Sequence, residues 1–171
     1  MTRLEKLVAY GNFGSSVAVA ITLGLTAYAL ILQNKSEIRA YTFEVSSRYW
    51  SGDLANTQIS LLTAVSEAQG ISEDLKLDAD DLSIYFEKLP MATDLSALDH
   101  QIVRIALFFN SVLSCVSALT CDELTAKALL ADDARGFNCV FGPRLNKLSR
   151  NLNLPNLLSG VEFFRKEGCT I

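Results

Sequence analysis

The chain has 171 residues, of which 50% are apolar and 20% are charged, with a net charge of −4. A length of this order suits a single domain. The acidic balance excludes a general nucleic-acid-binding protein, which needs a basic surface. The charged fraction lies below the roughly 25% of an average soluble domain, so the composition is shifted toward a membrane protein.

The N-terminal segment, residues 1–34, holds the longest apolar stretch. No charged side chain occurs in residues 7–34, a run of 28. About 20 apolar residues of helix cross a bilayer core of roughly 30 Å, and the stretch from Gly11 to Leu32 provides 22. The sequence therefore predicts one N-terminal transmembrane helix. A cleaved signal peptide and a buried core helix are the alternatives.

Small residues are spaced four apart within this span. They form the pairs Gly14 and Ala18, and Ala20 and Gly24. Such pairs let helices approach closely in lipid. The expected partners are therefore the lipid bilayer and other membrane-protein subunits, or a second copy of the span.

The orientation of the span depends on Lys and Arg near its ends. Arg3 and Lys6 precede it, and Lys35, Arg39 and Arg48 follow it, which is close to balance. The four cysteines show no short paired spacing, and unpaired thiols suit a reducing compartment. Together these features favour a cytoplasmic C-terminal domain.

The chain after the span is expected to be all-α. Residues 35–52 contain no helix breaker before position 52 and are predicted to form a helical stalk, and residues 53–171 an antiparallel helical bundle. No stretch shows sustained period-two alternation, so no strand is expected. The predicted helices of the domain cover residues 54–68, 78–89, 94–119, 120–130, 141–151 and 155–168. Asp53, Thr93 or Asp94, and Thr120 are their expected caps, and Pro155 is expected in a first turn.

The predicted helix 94–119 carries an unbroken apolar stripe. Its spacing alternates between four and three residues over three heptads. It is expected to be the longest helix of the domain and its central element. The stripe consists of Leu98, Ile102, Ile105, Phe109, Val112, Val116 and Leu119.

Few residues have the types and spacing that chemistry requires. His100 is the only histidine, and with Asp99 and Arg104 it defines the polar pocket that an enzyme would need. The cysteines lack the spacing of a zinc knuckle, and the acidic residues 73–81 do not match a calcium-binding loop. No catalytic residue, metal or cofactor is therefore predicted.

A basic stripe is the one candidate binding surface. Arg144, Lys147 and Arg150 recur every three residues, so they would line one side of the predicted helix 141–151. Arg165 and Lys166 add charge nearby in the sequence. A membrane anchor would hold such a stripe close to anionic lipid headgroups. An ordinary solvent-facing surface is the alternative.

Several segments resemble a known family. Residues 102–130 (IVRIALFFNSVLSCVSALTCDELTAKALL) contain a paired Phe in an amphipathic helix, then a short turn, then Asp-Glu-Leu at the start of the next helix. Residues 157–164 (LLSGVEFF) are similar to a terminal leucine/aromatic helix. This order resembles the bacterial single-span membrane proteins grouped as domain of unknown function 4760. Residues 135–138 (RGFN) depart from the tryptophan-containing segment of that family.

The resemblance implies a layout and a location. It implies a single span followed by a compact helical domain in a bacterial inner membrane, and it transfers no catalytic residue. The sequence thus predicts a non-enzymatic, single-span protein that acts by protein–protein interaction, as an accessory or scaffold subunit of a membrane-associated assembly. A membrane-surface lipid-binding or sensor module and a small enzyme are the alternatives.

Overall fold

The computed structural model describes residues 3–70, 78–90, 96–165 and 169, and the side chains among them from Ile21 onward. This part of the chain is helical throughout its regular structure and contains no strand. The predicted all-α class and the helical bundle are therefore confirmed. The elements are α1 (Arg3–Ser47), a 3-10 turn (Arg48–Trp50), α2 (Gly52–Gly70), α3 (Ala79–Lys88), α4 (Ala97–Ser117), α5 (Glu123–Asn151) and α6 (Ser159–Phe164).

The chain divides into two compact units, Met1–Ile38 and Arg39–Ile171. Helix α1 is continuous to Ser47 and so includes residues 35–47 of the predicted stalk. In the second unit, α4 packs against α2, α5 and α6, and α5 also packs against α3 and α6. These contacts make α4 and α5 the two central helices of the bundle.

Two helix starts follow from local capping. The Asp78 side chain accepts a hydrogen bond from the Asp81 N–H at 2.9 Å, which satisfies one of the free donors at the start of α3. The predicted helix 78–89 is confirmed. Ser96 caps α4 in the same way, by accepting from the Asp99 N–H at 3.2 Å. The expected cap Asp53 lies inside α2, because that helix already begins at Gly52. The expected caps Thr93 and Asp94 lie outside the described residues.

Helix α4 buries the predicted apolar stripe. Five of its positions, from Ile102 to Val116, are buried, and Leu98 is half-buried against the core. The prediction of Leu119 as a core position is wrong. This residue lies beyond the end of the helix, has a φ of 59° and is 82% exposed. Hydrogen bonds from Leu119 N to Val116 O and from Thr120 N to Cys115 O close the helix end around this left-handed residue.

Helix α5 is a single helix of 29 residues. The predictions of two short helices here, and of α4 as the longest helix of the domain, are wrong. Pro143 inside a helix costs about 3 kcal/mol, because it removes a hydrogen bond and crowds the preceding turn. Thirteen residues of α5 are buried, and burial of this extent outweighs that local cost.

The start of α5 also differs from the prediction. Asp122, and not Thr120, is the cap, and its carboxylate accepts from the Thr125 N–H at 2.9 Å. The Thr120 hydroxyl instead donates to Cys115 O at 3.0 Å, which holds it at the end of α4. The Asp122 N–H donates to the Thr42 hydroxyl at 2.7 Å, so the end of α1 is fastened to the same turn.

Helices α4 and α6 approach each other closely at one point. The Asn110 amide nitrogen donates to the carbonyls of Asn156 and Leu157, and its oxygen accepts from the Gly160 N–H at 2.6 Å. A Cβ on Gly160 would lie 2.3 Å from the carbonyl carbon of Phe109, so only glycine fits. Residues 155–158 form turns rather than the predicted first turn at Pro155, because this contact starts α6 at Ser159.

Replacement of Gly160 by Ala tests the close approach. We expect Gly160→Ala to lower the free energy of unfolding by about 1–3 kcal/mol or more, because the clashing atoms are backbone. Gly136→Ala is the matched control, since nothing lies within 4 Å of its Cβ position. The control should be as stable as wild type or more so, by about 0.5–1 kcal/mol. Urea denaturation followed by Trp50 fluorescence measures both, and equal midpoints would contradict the packing described.

Candidate functional site

The predicted span falls only partly within the described side chains. Gly11, Gly14 and Ala18 lie outside them. Gly24 has nothing within 4 Å of its Cβ position. The large apolar side chains from Ile21 to Leu32 are each 49–65% exposed. These side chains are Ile21, Leu23, Leu25, Tyr28, Leu30, Ile31 and Leu32.

Among the described residues, one helix is long and apolar enough to cross a membrane, and it is α4, Ala97–Ser117. This differs from the sequence prediction, which gave that property to the N-terminal helix. Eight residues of α4 are buried within the bundle. The core helix of a soluble domain passes a test of length and composition equally well, so α4 is explained as the core.

Arg144 does not belong to the predicted headgroup stripe. It is 1% exposed, and its guanidinium donates to both Asp99 oxygens, at 2.8 and 2.9 Å. It also donates to the carbonyls of Leu89 and Pro90. A side chain enclosed in this way cannot contact a lipid headgroup. The prediction failed because three-residue spacing along a helix does not distinguish a surface cation from a buried, fully bonded one.

The Asp99 carboxylate is held in its charged form. Burial alone would raise its pKa, but hydrogen bonds from Arg144 and Ser96 and the charge of Arg144 outweigh burial, so the pKa is lowered. Bidentate pairing of an arginine with a carboxylate is among the strongest side-chain interactions. Asp99 and Arg144 are therefore structural, and Asp99 does not join the pocket expected around His100.

Two residues of the basic stripe stay at the surface. The Lys147 ammonium lies 2.7 Å from the Glu87 carbonyl and 3.5 Å from its carboxylate. Lys147, Arg150 and Arg165 line a polar groove of about 400 Å³ beside α5 and α6. Glu87 and Glu162 line the same groove, so its basic charge is largely offset.

His100 and Arg104 do share a groove, which lies between α2 and α4 and has a volume of about 510 Å³. The Arg104 guanidinium lies 3.1 Å from the Asp53 carboxylate, and both side chains are more than half exposed. This groove is open and polar. Asp99, the third residue of the expected enzyme pocket, is buried against Arg144 instead.

A second groove combines an apolar floor with carboxylates at its edge. We call it the α2–α5 groove, and its volume is about 370 Å³. A volume of this order lies in the range of small-molecule sites, which are mostly apolar with a few convergent polar groups. Its lining residues are Tyr49, Gln58, Leu61, Leu62, Val65, Gln69, Leu82, Ile105, Asp132, Asp133, Gly136, Phe137, Val140 and Phe141.

Ionisation is perturbed along this groove. Burial raises the pKa of Asp133, the neighbouring charge of Asp132 raises it further, and a hydrogen bond from Trp50 opposes both. Burial and the charge of Asp133 also raise the pKa of Tyr49. Clusters of perturbed groups in a concave site are characteristic of functional sites. The α2–α5 groove is therefore the candidate functional site of the bundle.

The cysteines form two disulfides, Cys115–Cys121 and Cys139–Cys169. Their Cα atoms lie 5.2 and 5.5 Å apart, within the range that a disulfide spans. The sequence argument from unpaired thiols therefore fails, because the cysteines meet in space although the partners are 6 and 30 positions apart in the sequence. Disulfides persist in oxidising compartments, so the cysteines no longer favour a cytoplasmic domain.

Comparisons of the chain with protein-family models, with curated proteins and with solved structures found no match. The resemblance to domain of unknown function 4760 stays a prediction from its motifs. The function is therefore inferred from the geometry and chemistry of this chain.

The sequence contained a signal for the groove that its motifs did not reveal. Asp132 and Asp133 are adjacent acids in the middle of α5, and Gly136 follows one turn later. Gly136 has nothing within 4 Å of its Cβ position, so it leaves space beside the acids. A predicted break between residues 130 and 141 hid this arrangement, because it assigned these residues to a loop.

The buried pair can be tested against an exposed one. We expect Asp99→Asn to lower the free energy of unfolding by about 3–5 kcal/mol, because Arg144 then keeps a buried charge without its counterion. Arg104→Gln removes the exposed pair with Asp53 and should cost less than about 1 kcal/mol. Urea denaturation at neutral pH compares them, and similar losses would contradict the assigned burial.

The same pair predicts a pH dependence. Because the pKa of Asp99 is lowered in the folded state, its stabilisation is present above the ordinary Asp value of about 3.9 and is lost as pH falls through the lowered value. Acidification below about pH 4 should therefore narrow the difference in unfolding free energy between wild type and Asp99→Asn. If the difference in unfolding free energy between wild type and Asp99→Asn stays constant down to pH 2, the expected role of the Asp99 charge is contradicted.

Proposed function

We propose that the chain is a single-span membrane protein that acts without catalysis, by binding other subunits of a membrane-associated assembly. The observation that carries this proposal is the surface of α1. Its large apolar side chains from Ile21 to Leu32 are all exposed, and no charge interrupts residues 7–34. A helix that is apolar on all sides needs lipid or a buried environment around it.

The dimensions of α1 support lipid as that environment. The 22 residues from Gly11 to Leu32 extend about 33 Å at 1.5 Å per residue. A bilayer core is roughly 30 Å thick. Lys35 and Arg39 follow the apolar stretch and suit the headgroup region.

We further propose that the bundle lies on the oxidising side of the membrane. The two disulfides support this orientation. Lys and Arg near the two ends of the span are almost balanced, so they do not oppose it. In a bacterial inner membrane, the N-terminus would then be cytoplasmic and the bundle periplasmic.

The support for partner binding is the apolar surface that the bundle leaves open. Ile59 and Leu62 lie one turn apart on α2 and are 61% and 67% exposed. Leu119 lies in the turn between α4 and α5, Leu124 lies in the first turn of α5, and they are 82% and 76% exposed. Apolar side chains of this kind are the usual material of a subunit interface.

Lipid-headgroup binding is the second candidate function. Lys147, Arg150 and Arg165 share one groove, which suits an anionic group. The loss of Arg144 from the stripe and the presence of two glutamates weaken this candidate. Liposome binding that is independent of anionic lipid content would exclude it.

Membrane insertion and partner binding can be tested together. We expect Leu25→Arg to reduce the carbonate-resistant membrane fraction, because an arginine at the centre of a span costs about 2.5–3.5 kcal/mol. Leu107→Arg is the matched control, an exposed leucine of the bundle outside the proposed partner surface, and it should leave the fraction unchanged. Membrane-protein subunits should be recovered with wild type after extraction in mild detergent, and lost with Leu25→Arg.

Each part of this proposal has its own contradicting result. Full membrane retention of Leu25→Arg would overturn the span. Recovery of the wild-type chain alone, at native expression levels, would overturn the accessory-subunit role and leave the span intact.

Thiol labelling tests the orientation. After intact cells are treated with N-ethylmaleimide, the denatured wild-type chain should carry no label, because all four cysteines are paired. A second sample, in which the chain is reduced before N-ethylmaleimide is added, should carry four labels. Cys115→Ser is the control, since it frees Cys121 and should give one label without reduction. Labelling of unreduced wild-type protein would contradict an oxidising location.

A further inference from the structure

The α2–α5 groove has an aromatic and aliphatic floor. Tyr49, Phe137 and Phe141 line it and are 4%, 7% and 5% exposed, so their rings are fixed by packing. The ring centroids of Phe137 and Phe141 lie 5.5 Å apart. Leu62, at the groove edge, is 67% exposed. The groove thus offers a rigid apolar surface that is open on one side.

Two carboxylates lie at the edge of this surface. Asp132 is exposed and Asp133 is half-buried, and they are adjacent on α5. The Arg135 guanidinium is 3.7 Å from the Asp132 carboxylate, so Asp132 already has a cationic neighbour. Asp133 accepts a hydrogen bond from Trp50, a neutral donor. The edge of the groove therefore carries two adjacent carboxylates, of which Asp133 is the more buried.

We propose that the α2–α5 groove binds an organic cation, with the ammonium group beside Asp133 and an apolar body on the floor formed by Phe137 and Phe141. Charge complementarity supports the cationic group, because a cation relieves the unfavourable burial of Asp133 next to Asp132. The proposal depends neither on membrane attachment nor on a protein partner.

A metal ion suits the groove poorly. Calcium and magnesium require about six or more oxygen ligands, and the remaining lining is largely aliphatic and aromatic. No group of three metal-binding side chains occurs in the part of the chain that is described. An organic cation needs only one or two carboxylates together with an apolar surface.

Three probes of similar shape but different charge show whether the groove selects its ligand by charge. They are 2-phenylethylammonium, 2-phenylethanol and 3-phenylpropanoate, which are cationic, neutral and anionic. Titration of the full chain in an uncharged detergent, followed by Trp50 fluorescence or calorimetry, measures their affinities. We expect the cation to bind at least about 10-fold more tightly than the alcohol, and the anion to bind most weakly. Added salt should reduce the preference for the cation.

Three variants assign the binding to the groove. Asp133→Asn should abolish the preference for the cation and keep the affinity for the alcohol. This variant should fold, since the carboxylate that it removes is disfavoured by burial. Gly136→Leu should weaken the binding of both the cation and the alcohol, because the added side chain enters the open space beside Asp132 and Asp133. Glu162→Gln is the control, because Glu162 lines the polar groove with Lys147 and Arg150; it should change the affinity of neither the cation nor the alcohol.

Several results would overturn the proposal. Equal binding of the cation and the anion would exclude charge recognition. An unchanged preference in Asp133→Asn, or unchanged affinity in Gly136→Leu, would move the binding away from this groove. The absence of saturable cation binding at about 10 mM would exclude a site of useful affinity. Retained thermal unfolding midpoints in both variants distinguish these results from misfolding.

Discussion

The bundle depends on one buried ion pair. Arg144 and Asp99 are 1% and 2% exposed, and the guanidinium also reaches the carbonyls of Leu89 and Pro90. An unpaired buried charge costs several kcal/mol. The end of α3, the first turn of α4 and the last third of α5 must therefore be in position together. The pair thus selects one register of α5 against its neighbours.

That register also determines the candidate site. Phe141, Phe137 and Asp133 precede Arg144 by three, seven and eleven residues. Positions at these intervals share one face of a helix. A rotation of α5 that released Arg144 would turn the floor and the carboxylate of the α2–α5 groove away from α2. The structural ion pair and the proposed binding groove are consequently parts of one helix face.

The features that the sequence predicts are local or strictly periodic. The short helix α3 follows from Asp78 and Pro90 at its two ends, and the core stripe of α4 follows from heptad spacing. Other features depend on contacts that no local pattern contains. Arg144 has the spacing of a surface cation, and only the position of Asp99 makes it buried. Cys139 pairs with a residue 30 positions away, beyond a complete helix. The groove was hidden for the same reason, since α5 is continuous only because packing outweighs Pro143.

The proposed membrane span and the proposed cation-binding groove are connected by their location at the membrane surface. Residues 35–171 carry 18 acidic and 13 basic side chains, so the bundle is acidic. A span would hold this acidic domain at the membrane–water interface. Organic cations with an apolar body concentrate at that interface, since both parts of the molecule are favoured there. An acidic groove with an aromatic floor would then be held where its proposed ligand is most abundant. Tethering would raise occupancy without a tighter site.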